Sequence, residues 1–212
     1  MLFNLIIGGL LILVAYLLGS IPTGYVVGRY LKGIDIREHG SCSTGATNVL
    51  RTVGKPAAIA VLVIDLLKGA VALALINMVY FFAPQGFLPA QWHPWLITGA
   101  ALGAIIGHSK SIWLNFTGGK SVATTLGILL VMNPVVGLGT LASFGVILGF
   151  SRIVSLSSIC GAIAVNVLMI ALSQPAAYSI FAALAGLYVI LRHKTNIQRL
   201  LAGIEPKIGQ AL

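Results

Sequence analysis

The chain has 212 residues, of which 58% are hydrophobic and only 8% charged. Soluble domains carry about 25% charged residues, so a soluble globular domain is excluded and a membrane-embedded protein remains. Thirteen Lys and Arg against four Asp and Glu give a net charge of +9. Cytoplasmic loops of membrane proteins are basic in any case, so this charge does not argue for nucleic acid.

The first apolar run, 4–28, is too long for a signal h-region and has no basic n-region before it. It reads as the first transmembrane helix. Further apolar spans follow at 57–82, 94–107, 122–150, 153–172 and 176–191. The polar, charged stretches 29–55, 108–121, 151–152 and 192–212 hold every Lys and Arg outside the spans, whereas the connectors 83–93 and 173–175 are uncharged. The positive-inside rule places the first group in the cytoplasm and the second outside.

Taken as one helix, span 122–150 would carry the basic tail to the wrong side. A turn at Asn133-Pro134, where proline breaks the helix, restores it. The expected fold is therefore an all-α polytopic integral membrane protein, one membrane-embedded domain over 1–212. It has seven transmembrane helices, an external N-terminus and a cytoplasmic C-terminus; a five-span arrangement is the alternative. The two halves of the split span are shorter than the ~20 residues that cross ~30 Å of hydrocarbon, so they must be buried or lie in thin membrane. Cys42, in a polar loop, and Cys160, in an apolar span, have no CxxC spacing and read as free thiols.

Three loops collect the reactive side chains on the cytoplasmic face: REHGSCSTGATNVLRTVGK (37–55), GHSKSIWLNFTGGKSVAT (107–124) and RHKTNIQRLLAGIEPK (192–207). Glycines, hydroxyls, Asn and Arg together supply what a phosphate or oxyanion requires. The Gly118-Gly119-Lys120-Ser121 segment lacks the first glycine of a P-loop and follows an apolar helix, so it is no nucleotide loop. Its glycines and lysine still suit an anion, the more so if Ser121 opens a helix. In the first loop, Ser41, Ser43, Thr44, Thr47 and Asn48 precede Arg51; an N-cap accounts for one of these polar side chains, not five.

His193 and Asn196, three apart, share a helix face, and either an interfacial or a catalytic role suits them. Asp65 and Lys68 lie inside a span at i, i+3, as a structural ion pair or as part of a site. Ser155, Ser157 and Ser158 open the sixth span; they bond helix carbonyls, or Ser155 reaches the site. No HEXXH occurs, the acyltransferase pattern HxxxxD fails at every histidine, and acidic residues are too few for a carboxylate metal site. Neither metal nor cofactor is expected.

The segments GSIPTGYVVGR (19–29), GSCSTGATNVLR (40–51), DLLKG (65–69) and the second and third loops resemble, in order and spacing, the bacterial acyl-phosphate:glycerol-3-phosphate acyltransferases of the PlsY type. The resemblance covers essentially the whole chain. It implies seven helices with an external N-terminus, in agreement with the charge argument. It also implies acyl transfer from a fatty acyl phosphate to the 1-hydroxyl of sn-glycerol 3-phosphate, giving lysophosphatidate and phosphate, the first acylation in phospholipid synthesis. Its partners would be these two substrates and the lipid bilayer, with no protein partner required. The enzyme would lie in the bacterial inner membrane with its site facing the cytoplasm.

By motif position, Ser41 and Arg51 match the functional serine and arginine of the family's first loop, and Gly118, Gly119 and Lys120 its glycerol-phosphate loop. His193 and Asn196 match its essential pair, Glu205 its structural glutamate, and Ser155 a serine lining the site. Thr47, Asn48, Asp65 and Lys68 are secondary candidates. Two family glycines are replaced, by Cys42 and Ser121, and Ser43 stands for an asparagine.

In the implied reaction, Lys120, Arg51 and glycine amides neutralise phosphate, while Asn196 and hydroxyls face the oxyanion. Either His193 or a substrate phosphate oxygen takes the hydroxyl proton, with the substrate-assisted route favoured. An anion transporter is the rival from another class, but no polar group reaches the external side. An acyl-CoA-dependent acyltransferase is the alternative among enzymes, and its HxxxxD is missing.

Overall fold

The computed structural model describes residues 1–210. Among these, ten α-helices follow in order: α1 Leu2–Ser20, α2 Thr23–Lys32, α3 Ala46–Thr52, α4 Lys55–Phe82, α5 His93–Ser109, α6 Val122–Met132, α7 Pro134–Ser151, α8 Val154–Ala171, α9 Ala176–Arg192 and α10 Lys194–Leu201. The apolar spans read from the sequence are helical apart from breaks at Ile21-Pro22 and Asn133. Four stretches are long and apolar enough to cross a membrane: α1 with α2, α4, α7 and α8. A fifth arises if α9 and α10, bent by 60°, count as one span. α6, with 11 residues, rises only about 16 Å at 1.5 Å per residue. The lipid-facing sides of these helices carry bare Leu, Ile and Phe, as on Leu5, Leu10 and Leu13 of α1.

The break at Asn133-Pro134 is present. Asn133 is extended (φ −155°, ψ 105°), and its side-chain oxygen caps α7 by accepting from the Val136 N–H at 3.1 Å. The run 4–28, expected as one helix, is instead interrupted at Ile21-Pro22, because proline has no N–H and clashes with the preceding turn. Distant groups satisfy the freed carbonyls: Ser111 Oγ donates to Ser20 O at 2.6 Å, and Lys68 Nζ to Ile21 O at 3.0 Å.

α1 packs on α5, α4 between α5 and α6, and α7 to α9 in sequence beside α6. The α4–α6 crossing depends on small residues. A Cβ on Gly127 would stand 1.9 Å from Leu66 O, and one on Gly69 would stand 2.3 Å from Thr124 O. This crossing fixes where α6 begins, and with it the loop that ends in Lys120. Leu73, Ile76, Ile97, Ile105, Ile128, Leu129 and Phe181 fill the core below the site.

Candidate active site

The first, second and third polar loops meet at one cavity of about 270 Å³. Its lining changes with depth. At the loop ends of the helices stand Ser41, Arg51, Lys120, Ser155, His193, Asn196 and Glu205; further along the same helices stand Leu126, Leu129, Leu141, Phe144, Val165 and Val189. A polar end thus opens into an apolar groove between α6, α7, α8 and α9.

The first loop is folded by Asn48, which is buried on α3. Its Nδ2 donates to the carbonyls of Ile36 (3.0 Å), His39 (3.0 Å) and Ser43 (2.9 Å), and its Oδ1 accepts from the Ser41 N–H at 2.8 Å. No side-chain cap opens α3. Asn48 therefore holds Ser41 in place, although it also touches the cavity wall. Arg51, one turn further on, makes no side-chain hydrogen bond among the described residues and is half-buried, so its donors face the cavity uncommitted. Burial, only partly offset by the Glu205 charge, pulls its pKa down.

Glu205 gathers the third loop. Oε1 accepts from Ser155 Oγ at 2.7 Å and Asn196 Nδ2 at 2.6 Å, while Oε2 accepts from Arg199 Nε at 2.6 Å. Burial by itself would raise the pKa of this carboxyl, but donation from Asn196, Ser155 and Arg199 outweighs it and holds the pKa below 4.5. Asn196 Oδ1 in turn accepts from Lys120 Nζ. The lysine pKa falls to about 8, first through burial and then through Arg199, Arg192 and Arg51, against the pull of Glu205.

His193 Nδ1 lies 2.7 Å from Val189 O, and a carbonyl can only accept, so Nδ1 carries the proton and Nε2 keeps a lone pair. Burial lowers the His193 pKa to about 4. The ring is neutral at pH 7.

Ser41, Thr47, Asn48, Arg51, Asp65, Lys120, Ser155, His193, Asn196 and Glu205 all line the cavity. Gly118, Gly119 and Lys68 do not. A Cβ on Gly118 would meet His108 O at 2.3 Å and one on Gly119 would meet His108 Nε2 at 2.1 Å, so the glycines are required by the approach to His108. The Gly119 N–H is already given to His108 O at 3.2 Å. Asp65 and Lys68 form the i, i+3 contact at 2.9 Å. His108 also lines the cavity, and no sequence motif singles it out. The overlooked signal was a histidine ending an otherwise apolar span, level with Asp65.

Cys42, at φ +55°, and Ser121, at φ +62°, both have a left-handed backbone that favours glycine. Such a conformation costs a side-chain-bearing residue about 1–2 kcal/mol. Opposite outcomes are expected when glycine is introduced. Cys42 is exposed and engages only Gly40 O, weakly, at 3.9 Å, so Cys42→Gly should raise stability by about 0.5–1 kcal/mol. Ser121 Oγ is buried between Ser109 Oγ (2.6 Å) and Ile105 O (2.9 Å), and Ser121→Gly orphans Ser109, a loss of about 1–3 kcal/mol. Thermal unfolding of both variants in detergent checks the two signs; a shift in the same direction would refute this account.

The family model for glycerol-3-phosphate acyltransferase matches residues 9–203. A glycerol-3-phosphate acyltransferase of Rippkaea orientalis is 68% identical over 97% of this chain and 95% of its own length. One of Crocosphaera subtropica is 60% identical over 98% and 96%. Among solved structures, PlsY, an integral membrane glycerol 3-phosphate acyltransferase, in its glycerol 3-phosphate form superposes with a TM-score of 0.85 at 35% identity, over 95% of this chain and 96% of that one. Its lysophosphatidic acid form gives 0.82 at 34% identity, over 95% of each chain.

Proposed function

The chain belongs to the glycerol-3-phosphate acyltransferase family, and from that premise we propose that it takes its acyl group from a fatty acyl phosphate and releases lysophosphatidate and phosphate. It is a multi-pass membrane acyltransferase acting on glycerol 3-phosphate. The observation that carries the donor assignment is the single cavity in which Arg51 and Lys120 stand at one end of an apolar groove. An acyl phosphate presents that same juxtaposition of anion and chain. The basic loops support an orientation in which these ends face the cytoplasm, the chain crosses the inner membrane seven times as one domain, and the N-terminus lies outside.

In the proposed reaction the 1-hydroxyl oxygen attacks the acyl carbonyl carbon, the bond from that carbon to the phosphate oxygen breaks, and phosphate leaves with the electron pair. Lys120 and Arg51 hold phosphate charge. Ser41, Ser155 and the second Nδ2–H of Asn196 face the reacting centre. The hydroxyl proton passes to a phosphate oxygen. With a second pKa near 6, that oxygen is a stronger base than an imidazole held at about 4. His193 Nε2 then accepts from the 2-hydroxyl of glycerol 3-phosphate and so orients the 1-hydroxyl, whose own proton goes to phosphate.

The test is phosphate release by purified protein given palmitoyl phosphate, without metal or CoA. Release that depends on glycerol 3-phosphate and yields lysophosphatidate is the expected result. Its absence from folded protein active with palmitoyl-CoA would move the assignment to the thioester donor.

The lysine also sets a pH dependence. Below about 8 it is charged and pairs with the phosphate dianion; above that it loses its proton. For glycerol 3-phosphate, kcat/KM should fall about tenfold per pH unit on the alkaline side, as it reports the free enzyme. In Lys120→Arg, whose guanidinium stays charged, that limb should vanish. An unchanged alkaline limb in the arginine variant would assign it to another group.

A further inference from the structure

We propose that His108, backed by Asp65, is a positioning residue that sets the height of the Gly118–Lys120 turn and so the reach of the Lys120 ammonium. The proposal rests on the reading above that Lys120 binds substrate phosphate.

His108 lies in the last turn of α5 and its side chain is 5% exposed. It touches the turn in two ways. Its carbonyl accepts the Gly119 N–H at 3.2 Å, and its ring Nε2 stands 2.1 Å from where a Cβ on residue 119 would lie. The turn therefore rests on the Nε2 edge of the imidazole, with no side chain between them. From the other side Arg192 Nη2 donates to Gly118 O at 3.2 Å and Gly119 O at 3.1 Å. Lys120 leaves a clamp with two jaws, and its Nζ reaches Asn196 Oδ1.

A buried carboxylate stands behind the ring. His108 Nδ1, buried without a hydrogen bond, faces Asp65 Oδ1 at 3.7 Å, and Asp65 Oδ1 lies 2.9 Å from Lys68 Nζ, which donates to Ile21 O beside the break at Pro22. A continuous line of contacts thus runs from the interrupted first span through α4 and α5 to the lysine. Ionisable groups inside apolar helices are costly, and aliphatic residues would pack the α4–α5 contact without that cost. The retained groups converge on the turn, and both His108 and Asp65 border the cavity. A displacement of about 1 Å at a substrate-holding group is enough to lose much of its effect.

The experiment is steady-state kinetics with palmitoyl phosphate and glycerol 3-phosphate on purified His108→Ala, Gly119→Ala, Lys120→Ala and the doubles His108→Ala/Lys120→Ala and His108→Ala/Gly119→Ala, with thermal unfolding of each. His108→Ala should raise KM for glycerol 3-phosphate about tenfold and change kcat less than about threefold, the pattern of lost uniform binding. In the Lys120→Ala background it should add less than about twofold, because its effect runs through the lysine. Gly119→Ala, whose methyl pushes the turn off the ring, should raise KM alone, and removing the ring in the double should make it no worse. A full tenfold rise on top of Lys120→Ala, or an unchanged KM in His108→Ala, overturns the proposal. Should His108→Ala fail to fold, Gly119→Ala carries the test, and an unchanged KM there overturns it. If Lys120→Ala itself leaves KM unchanged, the phosphate-binding reading falls first.

Discussion

Replacing Lys120 with alanine should lower kcat/KM for glycerol 3-phosphate by about 10³-fold, most of it through KM. Truncating one partner of a buried charge pair costs about 2–5 kcal/mol, and about 4 kcal/mol corresponds to three orders of magnitude. The effect should be large because the charge is scarce at this end of the cavity. Arg51 is the other uncommitted cation, whereas Arg199 is spent on Glu205 and Arg192 on the glycine carbonyls. Burial that lowers the Lys120 pKa also strips water from the ammonium, so a bound phosphate recovers a penalty already present in the free enzyme. Lys120→Arg should lose less, about tenfold, since the guanidinium keeps the charge but no longer fits the place against Asn196. Initial rates over a range of glycerol 3-phosphate concentrations separate KM from kcat. A kcat collapse with KM intact would make the lysine a transition-state group and not a substrate anchor.

How much of this was legible beforehand depended on how local each determinant is. Asn133-Pro134 carries its own breaking signal and its own cap, so the split of 122–150 could be read from two residues. The break at Pro22 has a proline signal of its own, within Gly19-Ser20-Ile21-Pro22-Thr23-Gly24, but the charge pattern demands no turn there, and the groups that bond Ser20 O and Ile21 O lie far off at Ser111 and Lys68. The polar lining was visible as three loops of similar composition, and most of the residues named from them meet. The carboxamide of Asn48 could not be told from a substrate ligand, because what turns it inward is three backbone carbonyls presented by the folded loop. His108 was invisible for a related reason. Nothing in its neighbours announces that residue 119 rests against its ring.

Glu205 shows the opposite case, a residue far from the other loops in sequence that should affect both stability and rate. Its side chain is 4% exposed and takes one donor from α8 and two from α10 at once. Glu205→Ala leaves Ser155, Asn196 and the partly buried Arg199 without their acceptor, a loss of about 3–5 kcal/mol. Glu205→Gln keeps one oxygen for Ser155 and Asn196 but turns an amide toward Arg199, a loss of about 1.5–3 kcal/mol for the charged bond. The pH dependence gives a second readout. A carboxyl whose pKa is depressed on folding contributes stability above its unfolded value, lost as pH falls through the folded one. Wild-type stability should therefore hold at neutral pH and decline on acidification below about 4.5, and this contribution should be missing from Glu205→Gln. In Glu205→Ala turnover should fall too, by about 10- to 100-fold, because Asn196 is released from Oε1 and no longer fixes Lys120 or presents its second N–H to the reacting centre. Thermal unfolding against pH, run beside kcat, distinguishes the two contributions. An Ala variant that unfolds earlier yet keeps full turnover while folded would confine Glu205 to holding the third loop and cut its link to the lysine.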